Sequence, residues 1–191
     1  MLNTTIRNKA LAALALASTL GFASAAQAQA PLFFWSSVGS AGTIDSGSTA
    51  SAKAMRATLT TGSTGTLIAR YSVTPSIEFT GGGVLHLMAN LVDPGPGASL
   101  SVSLIEVPVG KPGEKAAFQA GRQILTVNST DDAMGVVVNS CVNDDGKVRL
   151  DFEANVYFVQ AVLNWDALAQ PQAPQLRAIR LAVYDFKKCG E

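Results

Sequence analysis

The segment NVYFVQAVLNW, Asn155–Trp165, is the most apolar strand-like stretch of the chain and decides the fold class. β-Branched and aromatic residues make up more than half of it, and neither glycine nor proline interrupts it. An apolar run of this composition is typical of a strand in the middle of a sheet. The sequence therefore predicts a central strand in an all-β domain.

Other segments alternate apolar and polar residues with the period of a half-buried strand. Val84–Val92 places Leu85, Leu87, Ala89 and Leu91 on one face, and His86, Met88 and Asn90 on the other. Leu176–Phe186 directs Ile179, Leu181 and Val183 inward. Further strands are predicted over Phe33–Trp35, Thr66–Val73, Leu100–Val109, Gln123–Val127, Met134–Val142 and Lys147–Glu153.

Turn signals separate these strands. Pro94–Gly97 is a strong turn, and it predicts that Leu100–Val109 pairs back on Val84–Val92 as a hairpin. Asn143–Gly146 is a second hairpin turn, and Asp166–Pro174 is a loop. Nine or ten short strands without helical crossovers predict a two-sheet antiparallel β-sandwich, of jelly-roll or immunoglobulin-like type.

The first 28 residues have the three parts of a secretory signal peptide. Arg7 and Lys9 form the basic region, Ala10–Phe22 is apolar, and Ala26-Gln27-Ala28 fits the cleavage site. The apolar run is too short for a membrane anchor. We therefore expect residues 1–28 to be removed and residues 29–191 to form one soluble domain. Its alanine-rich signal has a bacterial character, which points to the periplasm or the medium.

Charge excludes one class of partner. The chain has 14 basic and 14 acidic residues, so loss of Arg7 and Lys9 leaves 12 basic against 14 acidic residues. Nucleic-acid surfaces need clustered lysine and arginine, and no basic run is present. No cofactor-binding motif appears either, so we predict no nucleic-acid partner and no cofactor.

Cys141 and Cys189 are the only cysteines. In an oxidising compartment an even pair is most simply a disulfide, so the sequence predicts a Cys141–Cys189 bond. Closing this loop would stabilise the fold by roughly 4 kcal/mol in the chain-entropy model. The bond would tie the C-terminal strand to the strand that holds Cys141.

The sequence gives little support for a metal site or for a catalytic triad. His86 is the only histidine, and we expect it to be a surface or edge residue and not a zinc ligand or a general base. Asp131-Asp132 and Asp144-Asp145 are acidic pairs in predicted loops. Carboxylates of this kind bind calcium in some proteins, so the sequence leaves open whether these loops do.

The segment Ile44–Ser48, IDSGS, resembles the catalytic signature of retroviral-type aspartic proteases. Gly81–Gly83 and Gly121–Leu125 resemble the flap and the Gly-Arg segment of that family. The resemblance implies a homodimer in which each Asp45 contributes one carboxylate. The residues before Asp45, Val38–Ile44, are mostly small or polar, however, and they predict an exposed loop instead of a buried strand. We therefore predict that Asp45 is not catalytic.

Two longer segments, Phe34–Asp45 and Ala154–Ala161, are similar to exported bacterial proteins of unknown function. This resemblance implies no site, and it favours a role without catalysis. Aromatic residues could instead form a sugar platform, and Trp35, Tyr157 and Trp165 are the candidates, although core packing is the simpler expectation. The prediction is an exported binding or surface-association protein for an unknown ligand or envelope component. A dimeric aspartic protease and a carbohydrate-binding module are the alternatives.

Overall fold

The computed structural model describes residues 33–75, 84–109, 121–130, 132, 134–141 and 150–184, with the backbone alone for 136–141. The predicted signal peptide and the expected new N-terminus near Gln29 lie outside these residues and stay predictions. The strands are β1 (Phe33–Val38), β2 (Thr43–Ile44), β3 (Ala52–Met55), β4 (Thr58–Thr61), β5 (Gly65–Ser72), β6 (Val84–Val92), β7 (Ala98–Pro108), β8 (Arg122–Asn128), β9 (Met134–Cys141), β10 (Asn155–Trp165) and β11 (Gln175–Tyr184).

The strands form two antiparallel sheets, which confirms the predicted all-β sandwich. Sheet A has the order β3-β4-β11-β6-β9, and β1 also pairs with β11. Sheet B has the order β2-β5-β10-β7-β8. The predicted central strand β10 lies between β5 and β7, so its apolar sequence matches its position in the middle of sheet B.

One hydrophobic core fills the space between the sheets. In β6 from Leu85 onward every second side chain is buried, as its alternation predicts, and β10 alternates in the same way. In β11 the predicted inward residues Ile179, Leu181 and Val183 are buried, and a bulge between Leu176 and Ala178 shifts the pattern before them. The large side chains that are fully buried are leucines with one isoleucine: Leu67, Leu85, Leu87, Leu91, Leu100, Leu104, Leu150, Leu163, Leu176, Ile179 and Leu181. Burying one such side chain is worth about 1.5–3 kcal/mol, so this layer supplies the main driving force for folding.

The Pro94–Gly97 turn does not form the predicted hairpin. It carries the chain from β6 in sheet A to β7 in sheet B, so the two strands never pair. The buried Asp93 holds this crossing, because its carboxylate accepts hydrogen bonds from the Gly95 N–H and the Ser129 hydroxyl. The prediction was wrong because turn residues fix a local bend, whereas strand partners are chosen by the sheets.

A second crossing links β1 in sheet A to β2 in sheet B. It passes through a 3-10 turn at Gly39–Ala41, where a Cβ on Gly39 would lie 1.9 Å from the carbonyl oxygen of Leu176. The Tyr71 hydroxyl donates to the Gly39 carbonyl at 2.5 Å. Burial raises the pKa of Tyr71 well above its ordinary value, so this donor keeps its proton.

Two short strands, β3 and β4, were not predicted. They form a hairpin whose turn contains Arg56 at a φ of 55°, and every residue of β3 is exposed. A second difference concerns the predicted strand Lys147–Glu153. Its described part, from Leu150 onward, is a turn in which Asp151 Oδ1 accepts the N–H groups of Glu153 and Ala154.

Candidate binding surface

The outer face of sheet A forms a lattice of side chains from three strands. Alternation places His86, Met88 and Asn90 on this face of β6, as predicted. Strand register then sets three rows across β1, β11 and β6. These rows are Val38–Ala178–Asn90, Ser36–Arg180–Met88 and Phe34–Ala182–His86.

Arg180 is the charged centre of this face. Its guanidinium lies 4.9 Å from the centroid of the Phe34 ring, which is a cation–π distance. The Phe34 side chain is 50% exposed although it belongs to a strand. No carboxylate of a described residue lies within ion-pair distance of Arg180. Among the described residues, this guanidinium therefore has an aromatic neighbour but no ion-pair partner.

An open cavity of about 230 Å³ lies beside this arginine. Met88, Asn90, Ala178, Ile179 and Arg180 line it. Ala178 is small and stands opposite Asn90. The surface is therefore lower in this row than in the neighbouring row, which holds the longer side chains of Arg180 and Met88. The Oδ1 atom of Asn90 is buried and makes no hydrogen bond within the described chain. An unsatisfied buried acceptor of this kind is costly.

Sheet A carries only one sign of charge. Within the strand bounds given above, its six strands contain Lys53, Arg177 and Arg180, and they contain no aspartate or glutamate. Surface potential follows the sum of such charges, so an unbalanced set attracts anions. The chain as a whole has no excess positive charge. The basic character is therefore a property of this sheet and not of the composition.

Sheet B pairs its arginines instead. Arg70 lies 5.4 Å from the ring centroid of Phe158, and its guanidinium makes a 2.7 Å ion pair with Asp45. Arg122 likewise bonds to Glu106 at 2.9 Å. Both positive charges in the strands of sheet B thus have an acidic partner among the described residues.

Asp45 differs from the expected exposed residue. It follows the two-residue strand β2, and its side chain is only 18% exposed. One carboxylate oxygen pairs with Arg70, and the other accepts the Gly47 N–H at 2.7 Å. This is an Asx turn with an ion pair. Both oxygens are already engaged, so the arrangement within one chain stabilises a loop and offers no free carboxylate for a shared proton.

His86 lies on the outer face of β6, between β11 and β9, so it is not an edge residue. Its ring meets that of Tyr184 edge-on, with the centroids 4.9 Å apart. Burial lowers the pKa of His86 below its ordinary value. The imidazole is therefore neutral at neutral pH and adds no charge to the face of sheet A.

The three aromatic residues considered for sugar binding do not form an exposed strip. Tyr157 is buried in the core, and Trp35 is half-buried against it. Trp165 is half-buried, and its indole N–H donates to the Gln170 carbonyl at 2.8 Å. The expectation of packing is confirmed for Tyr157. Among the described aromatic side chains, the exposed one is Phe34, which the sequence analysis did not name as a platform candidate.

The Tyr157 hydroxyl joins a polar network at the end of sheet B. It donates to Glu106 Oε2 at 2.9 Å and accepts the Asp151 N–H at 2.9 Å. Burial, with a further contribution from the Glu106 hydrogen bond, raises the pKa of Tyr157 to about 12. The phenol therefore stays protonated and acts as a structural donor. Arg122 completes the network on the other oxygen of Glu106.

The predicted disulfide and calcium loops lie mostly outside the described residues. Cys141 ends β9 opposite His86, but Cys189, Asp131, Asp144 and Asp145 are not among the residues described. The Cys141–Cys189 bond therefore stays a prediction. Across the described ranges, no three histidine, cysteine, aspartate or glutamate side chains are grouped as metal ligands.

Comparison with known proteins gives no family for the chain, because no family model matches it and no curated protein matches it significantly. Among the described residues, no helix is long and apolar enough to cross a membrane. The sequence analysis did not name Arg180, Phe34 or Asn90 as candidate site residues. One usable signal was present: the segments that became the strands of sheet A contain bases and no acids.

Proposed function

We propose that this protein is exported and acts by binding an anionic ligand through the outer face of sheet A, without catalysis. One observation carries the proposal: Arg180 stands uncompensated among the described residues, beside an open cavity, on a sheet whose strands contain no acid. A charged side chain that has no ion-pair partner in its own chain loses hydration when a ligand covers it. It is therefore stabilised most by a ligand of opposite charge.

The alternatives have weaker support. An aspartic protease would need Asp45 to share a proton with a second carboxylate, and Asp45 is bonded to Arg70 and to the Gly47 N–H instead. A sugar module with aromatic platforms would need Trp35, Tyr157 or Trp165 at the surface, and these rings are buried or half-buried.

Export is tested first. Expression of the full chain in a bacterial host should give a mature protein that begins near Gln29 in the periplasm or the medium. Its intact mass, without reduction, should also be lower by two hydrogen atoms than the mass calculated for two free thiols, because forming the Cys141–Cys189 bond is a two-electron oxidation. An N-terminus that keeps Arg7 and Lys9 would overturn the export part of the proposal, and two free thiols would overturn the disulfide.

Binding is tested with dextran sulfate against neutral dextran, by calorimetry of the mature protein at low and at physiological salt. We expect dextran sulfate to bind, and the affinity to fall with salt because the attraction is electrostatic. Arg180→Gln should weaken binding about tenfold, the loss of one charge-assisted hydrogen bond.

The matched control is Arg70→Gln, which removes the other arginine that lies over a phenylalanine. Because Arg70 is already paired with Asp45, this variant should change the affinity less than about twofold. Equal losses in the two variants would show that binding follows total charge and not the face of sheet A. Absence of binding to any anionic polymer would overturn the proposed function.

A further inference from the structure

The outer edge of β1 is an open edge of sheet A. β1 pairs with β11 along its whole length, from Phe33 to Val38, without a register shift. The other side of β11 is taken by β6, so β1 lies at the border of the sheet, and no other described strand pairs with it. Such an edge presents backbone N–H and C=O groups that can pair with a further strand.

The other edges of the two sheets have features that hinder further pairing. β2 has only two residues, and β3 contains Lys53. β8 begins with Arg122, and its register against β7 shifts once. β9 contains Gly135 at a φ of 117°, and its register against β6 also shifts. Short length, charge and bulges are the usual means by which an edge avoids another strand.

β1 has none of these features. Its sequence, FFWSSV, contains no charged residue, no glycine and no proline. Three of its six residues are aromatic, and aromatic residues favour strands. On its outer face, Phe34 is 50% exposed and Val38 is 45% exposed. Among the described edges, β1 is therefore the one suited to pair with another chain.

The exposed side chains of β1 match a second copy of the same strand. Directly opposite residues of two antiparallel strands lie on the same face of a sheet and contact each other. If the Ser36 residues of two copies meet on a twofold axis, Phe34 of each copy stands opposite Val38 of the other. Each exposed apolar side chain then covers an apolar partner. β1 is therefore self-complementary, as a twofold contact requires.

The neighbours of β1 are compatible with this pairing. On the inner face, the half-buried Trp35 would stand opposite the small Ser37 of the second copy, and an open cavity of about 290 Å³ beside these residues leaves room. On the outer face, Arg180 stands opposite Ser36. The two arginines of a pair would therefore lie three strand spacings apart, about 14 Å. Salt screens charges at this distance, so their repulsion is small.

We propose that two copies of this protein pair through β1, antiparallel and about a twofold axis at Ser36, so that sheet A continues from one copy into the other. The contact uses the backbone of β1 and not the charge of Arg180, so it does not rest on the proposed function. One strand pair is a smaller interface than that of a permanent dimer, and we expect a Kd on the order of 10–100 µM.

Analytical ultracentrifugation of the mature protein, over concentrations below and above this Kd, tests the association. We expect monomer at low concentration, dimer at high concentration and no larger species, because a twofold contact closes at two copies. Ser36→Lys places two like charges opposite each other on the axis and should raise the Kd at least about tenfold. Its urea midpoint should stay unchanged, because Ser36 is exposed in the monomer.

The matched control for the charge is Ala54→Lys. It adds the same side chain to β3, the exposed edge strand that already contains Lys53. This variant should leave the Kd of the dimer within about twofold of the unmodified protein.

Cysteine cross-linking tests the register. Directly opposite residues have Cα atoms about 4.5–5.5 Å apart, which is within the reach of a disulfide. Ser36→Cys should therefore give a covalent dimer on mild oxidation, and peptide mass spectrometry should find the link between the two copies of position 36. Ser37→Cys is the control, because its counterpart in the second copy is a diagonal neighbour about 7–8 Å away.

A monomer at every concentration would overturn the inference. A dimer that Ser36→Lys leaves intact, or that Ala54→Lys dissociates, would overturn it as well, because the contact would use another surface. Cross-linking through position 37 in preference to 36 would overturn the register. If Ser36→Lys does not fold, the cross-linking of Ser36→Cys decides. Binding of dextran sulfate by a protein that stays monomeric would overturn the pairing and keep the proposed function.

Discussion

Arg70 lies over Phe158 on sheet B, and Arg180 lies over Phe34 on sheet A. The two pairs have similar geometry and stand on the outer faces of opposite sheets. They differ in one partner, because Asp45 neutralises Arg70 and no described acid approaches Arg180. The same side-chain motif therefore fixes a loop on sheet B, whereas on sheet A its arginine has no acidic partner in the part of the chain that the structure describes.

The largest expected effect comes from a substitution in the crossing from β1 to β2. This segment joins Phe34, which contacts Arg180, to Asp45, which pairs with Arg70. The segment between Phe34 and Asp45 passes through Gly39, where a Cβ would overlap the Leu176 carbonyl oxygen. Gly39→Ala should destabilise the protein by more than about 3 kcal/mol, because backbone must move. It should also loosen the pairing of β1 with β11. Urea unfolding measures this, with Ser36→Ala on the exposed side of β1 as the control.

If Gly39→Ala unfolded within about 0.5 kcal/mol of the unmodified protein, the close approach at Leu176 would not determine the crossing. The difference between the two faces would then follow from the strand pairing within each sheet and not from the crossing at Gly39.

A smaller effect is expected at Tyr157, whose hydroxyl donates to Glu106, the ion-pair partner of Arg122 on sheet B. Tyr157→Phe leaves the Asp151 N–H and one oxygen of Glu106 without their partner, which should cost about 1–3 kcal/mol. The pKa of Tyr157 is raised from its ordinary 10.0 to about 12. The unfolded chain therefore loses the proton first, so stability is complete below about pH 10 and falls as the pH rises toward 12.

Urea unfolding between pH 8 and 11 measures this loss. In Tyr157→Phe the alkaline decline should be shallower than in the unmodified protein. Tyr71 also has a raised pKa, so some decline should persist in the variant. An unchanged slope would mean that Tyr157 ionises equally in the folded and unfolded chains.

The most direct way to break the difference between the faces is Asp45→Asn. The variant keeps an acceptor for the Gly47 N–H but removes the charge that neutralises Arg70. Stability should fall by less than about 1 kcal/mol, because Arg70 is half exposed. Sheet B should then bind dextran sulfate in addition to sheet A, which doubles the stoichiometry in calorimetry.

Asp45→Ala provides the comparison, since it loses the turn acceptor as well and should be the less stable of the two variants. An unchanged stoichiometry in Asp45→Asn would show that Asp45 is not what closes the face of sheet B to anions.

The smallest expected effect is a pH dependence on sheet A. Burial lowers the pKa of His86 in the folded chain. At a pH below the ordinary pKa of histidine, the unfolded chain therefore binds a proton that the folded chain does not bind. Stability should be complete above about pH 6.5 and decline as the pH falls further. His86→Gln should flatten this decline in thermal unfolding between pH 5 and 7.5. An identical acid decline in the variant would assign it to the carboxylates.

Local pattern predicted much of the fold. β6, β10 and β11 lie within two residues of their predicted bounds, and the inner faces of β6 and β11 hold the predicted side chains. Period-2 alternation reports burial on one face directly, so it needs no knowledge of the partner strand. The hairpin of β3 and β4 was missed for the opposite reason. Those strands are short, and β3 is fully exposed, so burial leaves no pattern in it.

The sequence by itself determined that this is an all-β chain, and it determined which side chains of the long strands face the core. Tertiary structure alone decided that Pro94–Gly97 joins two sheets, and that Asp45 reaches Arg70 while no acidic side chain of a described residue reaches Arg180. The physical reason is the distance along the sequence between the residues that interact. Hydrophobic periodicity acts between neighbouring residues, whereas strand pairing and charge compensation depend on segments that only the folded chain brings together.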